Sequence, residues 1–483
     1  MTDNLDELRH IEGFPLGEDE DLLALSDPPH YTAYPNPHLG EFIEKWGTPY
    51  DEATDDYHRE PYVADVSEGK NDPIYNARSY HTKVPYKAII PFIEHYTEPG
   101  DIVFDGFCGT GMTGVAAQMV GRRAVLCDLS PAATFIAYNY NRPVDVSAFD
   151  REGKSILTEI ESEYGWMYET WHPDCDARNR AKGRVNYTVW SDVFLCPYCG
   201  SEIVFWETAV DVGAGEVLDR FDCPHCHAEV SKRELHRAIE RIYDSALGRE
   251  TEHACRVPVL INYSVGSKRY EKKPDAADLA LIRRIEKAEV PFWYPANRMP
   301  EGDESRRNDP LGMTHTHHFY SPRSLWILSA LWHSTTRRVF RAAILGGLGV
   351  GLKLARFRAP LWFNKTSGPM KGHTSGTLYM PSLSGEQNWC NILTERMASV
   401  KRQMVAMRPI AGNEFVITTG STERLHELRH LRQVGFGSRG LCVMLAQQPH
   451  RLTYLGKALL AEPLGFGECS TCFVGVLVEG EAG

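Results

Sequence analysis

Two sets of residues in this chain have types and spacings that could do chemistry. The first is a pair of aspartates around a glycine turn: Asp105 ends the apolar run Ile102-Val103-Phe104, Gly109 and Gly111 follow, and Asp128 ends a second apolar run from Ala124 to Cys127. Between the runs, MTGVAAQMV from Met112 is rich in helix formers and closes at Gly121, a suitable C-cap. Strand, turn, helix and strand in that order predict an α/β nucleotide-type fold, whose ligands sit beyond the carboxyl ends of parallel strands, where both aspartates fall. The glycines allow a tight turn and a close approach of backbone to ligand. Asp128 is spaced to accept hydrogen bonds from ribose hydroxyls. Asp105 occupies the place where the dinucleotide fingerprint begins with glycine, and no G-x-G-x-x-G follows. A carboxylate there repels a pyrophosphate and suits a ligand carrying an ammonium and a sulfonium.

The second set is made of thiols. Cys196-Pro-Tyr-Cys199 and Cys223-Pro-His-Cys226 are two tight turns separated by a strand-like stretch, EIVFWETAV to VLDRFDC. Two such turns can aim four soft ligands at one tetrahedral zinc. The pattern resembles a zinc ribbon with an enlarged hairpin. Four thiolates leave no open coordination position, so the metal is expected to be structural. His225 and His227 are the alternative ligands. Cys469-Ser-Thr-Cys472 has no partner pair nearby and is read as incidental.

DGFCGTGMTGVAA, from Asp105, is similar to the cofactor motif of the amino DNA methyltransferases, which methylate the exocyclic nitrogen of adenine or cytosine. YHTKVPYKAIIPFIEHYTEPGD, residues 80 to 101, resembles the helix that precedes that motif in the family, with His81, Thr82, Lys83 and Pro85 at its start. CDLSPAA from Cys127 resembles the family's acidic second motif. The resemblance covers residues 80 to 141 and implies S-adenosylmethionine as cofactor. It assigns the cofactor to Thr82, Lys83, Pro85, Asp105, Gly106, Phe107, Gly109, Thr110, Gly111, Asp128, Leu129 and Ser130. It also implies DNA as substrate and, as the setting, a bacterial modification or phage-defence system with other subunits as partners.

An amine conjugated to a heteroaromatic ring is a poor nucleophile. By resemblance, a flipped base is held with its amine donating to an Asp or Asn side chain and a proline carbonyl, and an aromatic ring stacks on it. The motif is Asp, Ser or Asn, then Pro-Pro, then an aromatic residue. Asp27-Pro28-Pro29-His30, followed by Tyr31, is its counterpart here, with His30 in the aromatic place. Only about fifty residues separate it from Tyr80, too few for the remaining strands and a target-recognition region. A proline-stiffened surface segment is the other reading of SDPPHYTAYPNP. No such motif follows Asn413, where the sequence turns basic and non-periodic, and this raises a truncated or altered catalytic half.

These residues must be carried by a larger frame. A chain of 483 residues exceeds one compact core, and 42% hydrophobic with 24% charged residues is ordinary for a globular protein. The expected fold is a Rossmann-like α/β methyltransferase domain with a small zinc-ribbon insertion and additional helices. Residues 1–75 read as an irregular arm, 76–148 as the cofactor half, 149–310 as an insertion with the ribbon at about 190–235, 311–412 as a helical and loop continuation, and 413–483 as a tail. Within these, Phe149 to Trp171 has helical spacing, SKRELHRAIERIYDSAL reads as a helix, YSPRSLWILSALWHSTTRRVFRAAILGGL as packed helices, and residues 372–389 as a long surface loop. Net charge of −12 excludes a protein that is basic all over, so DNA contacts must come from local clusters such as Arg337–Arg358 or Arg424–Arg439, unless those are solvated faces. No apolar run is long enough for a bilayer and the N-terminus is unlike a secretory signal, so a cytoplasmic protein without a membrane partner is expected. Twelve cysteines in such a chain argue against a disulfide framework. A non-catalytic cofactor- and DNA-binding subunit and an RNA methyltransferase are the rival readings.

Overall fold

The computed structural model describes residues 30–47, 53, 59–60, 62–63, 69, 71–78, 80, 83–173, 181–335, 338–365, 368–374, 377–408, 414–421 and 441–443. The chain divides into two compact units. One takes in Leu23–Gly153, Arg337–Gly346 and the chain from Arg396; the other takes in Lys154–Thr336 and Gly347–Glu395.

The first unit is the Rossmann-like α/β core. In chain order it has α1 (Tyr86–Tyr96), β1 (Ile102–Asp105), α2 (Met112–Met119), β2 (Arg123–Asp128) and α3 (Pro131–Asn141). Every residue of β1 is buried, which is why it reads as a continuous apolar run rather than an alternating one. The strand Phe415–Thr419 pairs in parallel with β2, β2 with β1, and β1 with Leu441–Val443. Gly121 follows the end of α2 with φ +74°, the left-handed C-terminal position expected of it. Ser130 caps α3, its hydroxyl accepting the N–H of Ala133, and Pro131 opens the first turn. Val103, Val115, Ala117, Leu126 and Ala137 pack the helices onto one face of the sheet.

The second unit is built on one long strand, β3 (Lys182–Leu195), flanked antiparallel by β4 (Arg256–Val265) and β5 (Leu383–Gln387). The cysteine-rich segment hangs from the end of β3, where Glu202–Val204 and His236–Arg237 both pair with it. At Asp192 this strand buries a full carboxylate, which accepts from Arg237 Nε at 2.7 Å and Arg256 Nε at 3.1 Å. A buried carboxylate left without a cation there would cost about 3–5 kcal/mol, so the ion pairs are what permit its burial.

Several expectations are met and others are corrected. The helix expected from Phe149 is Val146–Tyr164, and packed helices occupy Pro322–Ser334 and Arg338–Leu345. SKRELHRAIERIYDSAL is not a helix. It forms a 3-10 turn at Lys232–Glu234, then strands His236–Arg237 and Ile239–Asp244, the last paired with Arg249–Ala254. Residues 372–389 are not simply a surface loop either, since β5 lies within them, fully buried from Leu383 to Glu386, and Trp389 is wholly enclosed. Arg424–Arg439 and the Cys469 pair lie outside the described residues.

Candidate functional site

Asp105 and Asp128 end adjacent parallel strands, with the glycine turn between them. Asp105 is completely buried, accepting from Thr113 Oγ1 at 2.6 Å and from the N–H of Phe107 at 3.1 Å. Burial pushes its carboxyl up to about 7, against those two hydrogen bonds. Asp128 accepts the N–H of Gly109 on one oxygen, at 2.8 Å, and that of Ser130 on the other, at 2.9 Å. Its carboxyl is also raised by burial. Each oxygen keeps a lone pair for a ligand hydroxyl.

The turn depends on its glycines for two different reasons. Gly109 has φ +51° and Gly111 φ +71°, both in the left-handed region. A Cβ at Gly111 would also lie 2.7 Å from both Ala137 Cβ and Asn141 Nδ2, so α3 could not close on α2. Asn141, fully buried, donates from Nδ2 to the carbonyls of Gly111 (3.0 Å) and Ala137 (2.9 Å) and accepts from Gln118 Nε2 at 2.8 Å. Its place in an otherwise ordinary helix end gave no sequence signal. Thr113, eight residues after Asp105, was equally silent.

Phe107 and Leu129, beside the two carboxylates, are 47% and 61% exposed, unusual for large apolar side chains next to buried charge. Two carboxylates with spare lone pairs, a Cβ-free turn and two uncovered apolar side chains fit S-adenosylmethionine: hydroxyls and ammonium for the former, the adenine ring for the latter. Pro85 stands at the N-cap of α1. Lys83 Nζ is drawn inward, donating to the carbonyls of Tyr75 and Arg78, the latter at 2.6 Å. Burial and the nearby Arg78 bring its amine down to about 7. Thr82 lies outside the described residues, as do Asp27, Pro28 and Pro29.

The residues just after the D-P-P motif are set on the far edge of the same sheet. Tyr31 has no exposed surface, its ring centroid lying 4.5 Å from that of Tyr138, while His30 is exposed. The Tyr31 carbonyl accepts from Thr419 Oγ1 at 3.1 Å, and Asn36 Nδ2 donates to the carbonyl of Ile417 at 2.7 Å. The segment therefore follows Phe415–Thr419, on the β2 side of β1.

With this geometry in view, the DNA methylase family model matches residues 25–164. Residues 25–164 are thus similar to an N6/N4-type DNA methylase domain. The match begins two residues before Asp27 and takes in both acidic motifs, whereas the cysteine-rich segment lies beyond it. No curated protein and no solved structure is matched.

In the second unit Cys196, Cys199, Cys223 and Cys226 bring their sulfurs within 4.8 Å of one another. The Cys196–Cys226 and Cys199–Cys223 separations are both 3.8 Å. Four sulfurs at about 2.3 Å from a tetrahedral zinc have edges of roughly 3.8 Å, whereas a disulfide needs about 2.05 Å. The donor set fits zinc with all four positions filled. Hydrogen bonds from the Ser201 hydroxyl and backbone bring the Cys199 thiol down to about 6, whereas, against a backbone hydrogen bond at Ala228, desolvation and the neighbouring thiols push that of Cys226 up, as expected of four clustered sulfurs that cannot all ionise by themselves. Both turns close alike, the N–H of Gly200 donating to Cys196 O at 2.9 Å and that of His227 to Cys223 O at 3.0 Å.

A second convergence of ligand-type residues was missed from sequence because 73 residues separate its halves. Asp244 Oδ2 meets Nε2 of His317 at 2.9 Å and of His318 at 2.7 Å, all three side chains buried. Asp244 Oδ1 accepts the N–H of Ala246 (3.0 Å) and Leu247 (3.2 Å), so the carboxylate is saturated. His318 Nδ1 accepts the N–H of Thr314 and His315, at 3.2 and 3.3 Å, which assigns the ring proton to Nε2. A zinc ligand would need that Nε2 bare, and edges of roughly 3.3 Å. The cluster is a hydrogen-bonded hub.

Among the described residues no helix is long and apolar enough to cross a membrane.

Proposed function

We propose that this protein transfers a methyl group from S-adenosylmethionine to an exocyclic amino group in DNA, of adenine in preference to cytosine. The observation that carries this is the pair of carboxylates, Asp105 buried and Asp128 half-buried, at the ends of β1 and β2 around a left-handed glycine turn, within the residues that match a DNA methylase model. When bound, S-adenosylmethionine supplies an electrophilic methyl on sulfonium. The chain's own task is positioning: Asp128 accepts ribose hydroxyls, Asp105 balances the ligand's positive charge, and Phe107 and Leu129 cover the adenine. Asp27, with the Pro28 and Pro29 backbone, is assigned to the target amine, and His30 and Tyr31 to its surroundings. Cys196, Cys199, Cys223 and Cys226 hold a structural zinc. We assign the protein to the cytoplasm, with DNA and other subunits of a modification or defence system as partners.

Calorimetry with S-adenosylmethionine tests the cofactor site. Asp105→Ala is expected to weaken binding strongly. Because burial raises Asp105 to about 7, a proton competes with the ligand cation, and wild-type affinity is expected to fall as pH drops below about 7. Tight binding of NAD with none of S-adenosylmethionine would overturn the assignment.

One observation favours a second reading, a cofactor- and DNA-binding subunit without its own transferase activity: the Tyr31 ring is enclosed against Tyr138 instead of presented to a base. Methylation assays on DNA and on RNA, with and without added partner subunits, separate the readings. In an active enzyme Asp27→Ala abolishes methylation and leaves cofactor affinity unchanged.

A further inference from the structure

We infer that the second unit carries a separate site for an unpaired nucleotide of a DNA strand, in the cleft between Trp166 and Trp171. The inference rests on the DNA-directed reading above. The cleft has a volume of about 180 Å³ and is floored by Thr170, Ala277 and Leu281. That is below the roughly 300 Å³ at which sites for whole drug-sized ligands begin, so it takes one flat ring system and no more. Its aromatic walls each carry a cation, with the Arg284 guanidinium 4.3 Å from the Trp166 ring centroid and Lys182 Nζ 5.5 Å from that of Trp171.

Charge decides what kind of ring enters. A cage of tryptophans with carboxylates nearby would suit a methylated ammonium. Here both carboxylates are already engaged: Glu169 by Lys182 at 2.5 Å, and Asp278 by Lys272 at 2.8 Å, an ammonium shared with Asp275 at 2.6 Å, with Thr170 Oγ1 donating to Asp278 at 2.6 Å. Arg284, exposed near the end of helix Ala276–Glu286, has no acidic partner among the described residues. The charges of the cleft balance overall, no carboxylate is left free to hold a cation, and Arg284 stands beside an indole face without an acidic partner among the described residues, an arrangement that matches an aromatic ring tethered to a phosphate. Nucleobases stack on such faces whatever their sequence, and an arginine adds attraction to both base and backbone. The site adds a foothold on a strand whose bases are unstacked, the form in which an amino-methylating enzyme needs its substrate.

The test is fluorescence titration of the full-length zinc-loaded protein with a single-stranded oligo(dT), with methyl transfer to duplex DNA measured on the same preparations. Trp171→Ala is expected to weaken oligonucleotide binding roughly 5- to 150-fold, the range of one lost base stack. Arg284→Ala, at an exposed position, is expected to weaken binding and reduce the slope of log K against log salt by about 0.7, one phosphate contact on a single strand. An abasic oligonucleotide of the same length should bind wild type as weakly as oligo(dT) binds Trp171→Ala. Equal affinity of all three proteins for oligo(dT), or equal affinity of wild type for the abasic strand, overturns the proposal. Methyl transfer by wild type alongside indifferent variants removes the cleft alone. Base-dependent binding without methyl transfer supports the cleft and counts against the transferase reading.

Discussion

Two clusters in the second unit are built from metal-ligating residue types, and they solve opposite problems. At Cys196, Cys199, Cys223 and Cys226 the sulfurs lie within 4.8 Å of one another, two of the pairs at 3.8 Å, a spacing that fits the edges of a tetrahedral thiolate site. At Asp244, His317 and His318 the separations are 2.7 and 2.9 Å, the carboxylate is saturated by four N–H donors, and the protons themselves fill the centre. Ligand identity alone does not distinguish a metal site from a proton hub. Edge length and the hydrogen bond on the second ring nitrogen do.

The sharpest way to break this contrast is metal analysis. Wild type is expected to hold about one zinc per chain, and Cys223→Ser to lose it and expose the segment between the knuckles to protease. Structural zinc in isolated fingers contributes about 10–16 kcal/mol of apparent folding free energy, so this is the largest expected effect. Two zincs in wild type would mean that the Asp244 hub binds metal after all.

Asp244→Ala should leave zinc content unchanged and cost about 3 kcal/mol in denaturant unfolding, because it strands two imidazole N–H groups and two backbone N–H groups. The hub also predicts acid lability. Burial pushes His318 down to about 4, so the native state holds a neutral ring while the unfolded ring titrates near 6.5. Stability is therefore expected to fall as pH drops from about 6.5 to about 4, by up to ~1.4 kcal/mol per unit from this residue. Unfolding midpoints that are flat over that window would remove the hub as described.

The smallest effect sharpens the comparison within the zinc site itself. Gly200 and His227 occupy equivalent places after the two knuckles, with φ of +72° and +60°. A Cβ at Gly200 would meet nothing within 4 Å, so the cost of a side chain there is conformational only. His227→Gly is expected to stabilise the zinc-bound protein by about 1 kcal/mol in thermal unfolding with the metal count unchanged, and Gly200→Ala to do the reverse.

What the sequence disclosed follows from where partners lie. Asp105, the glycine turn and Asp128 fall within one contiguous motif, and each knuckle pair is local, so residue type and spacing carried their geometry. The expected helix at SKRELHRAIERIYDSAL failed because Leu235, Ile239 and Ile242 imitate an apolar stripe of which only Leu235 enters a core. Ile239 and Ile242 are 47% and 46% exposed, and the segment instead pairs with Arg249–Ala254 across a turn containing Gly248 at φ +64°. β5 was hidden by its own polarity. Ser384 and Glu386 are buried because Arg256 donates to the Ser384 hydroxyl at 2.7 Å, Trp190 Nε1 to Glu386 at 3.0 Å, and Ser321 to the same carboxylate. Those partners come from distant elements. Polarity read along the chain cannot register compensation supplied from elsewhere.

The sheet whose strands end in Asp105 and Asp128 also dictates when those residues can assemble. β2 needs Phe415–Thr419 as its outer neighbour, and the residues after the D-P-P motif bond to that strand, Asn36 reaching Ile417 across 381 positions of chain. On the ribosome, the first motif waits until Phe415–Thr419 has been made before its platform exists. The cysteine-rich unit, completed by Glu395, emerges in full before that strand does. At about 5–20 residues per second, the apolar β1 and β2 spend tens of seconds without Phe415–Thr419 beside them. Synthesis rate and chaperone access are therefore expected to bear on the yield of this protein, and the cysteine-rich unit is the part whose chain is available first.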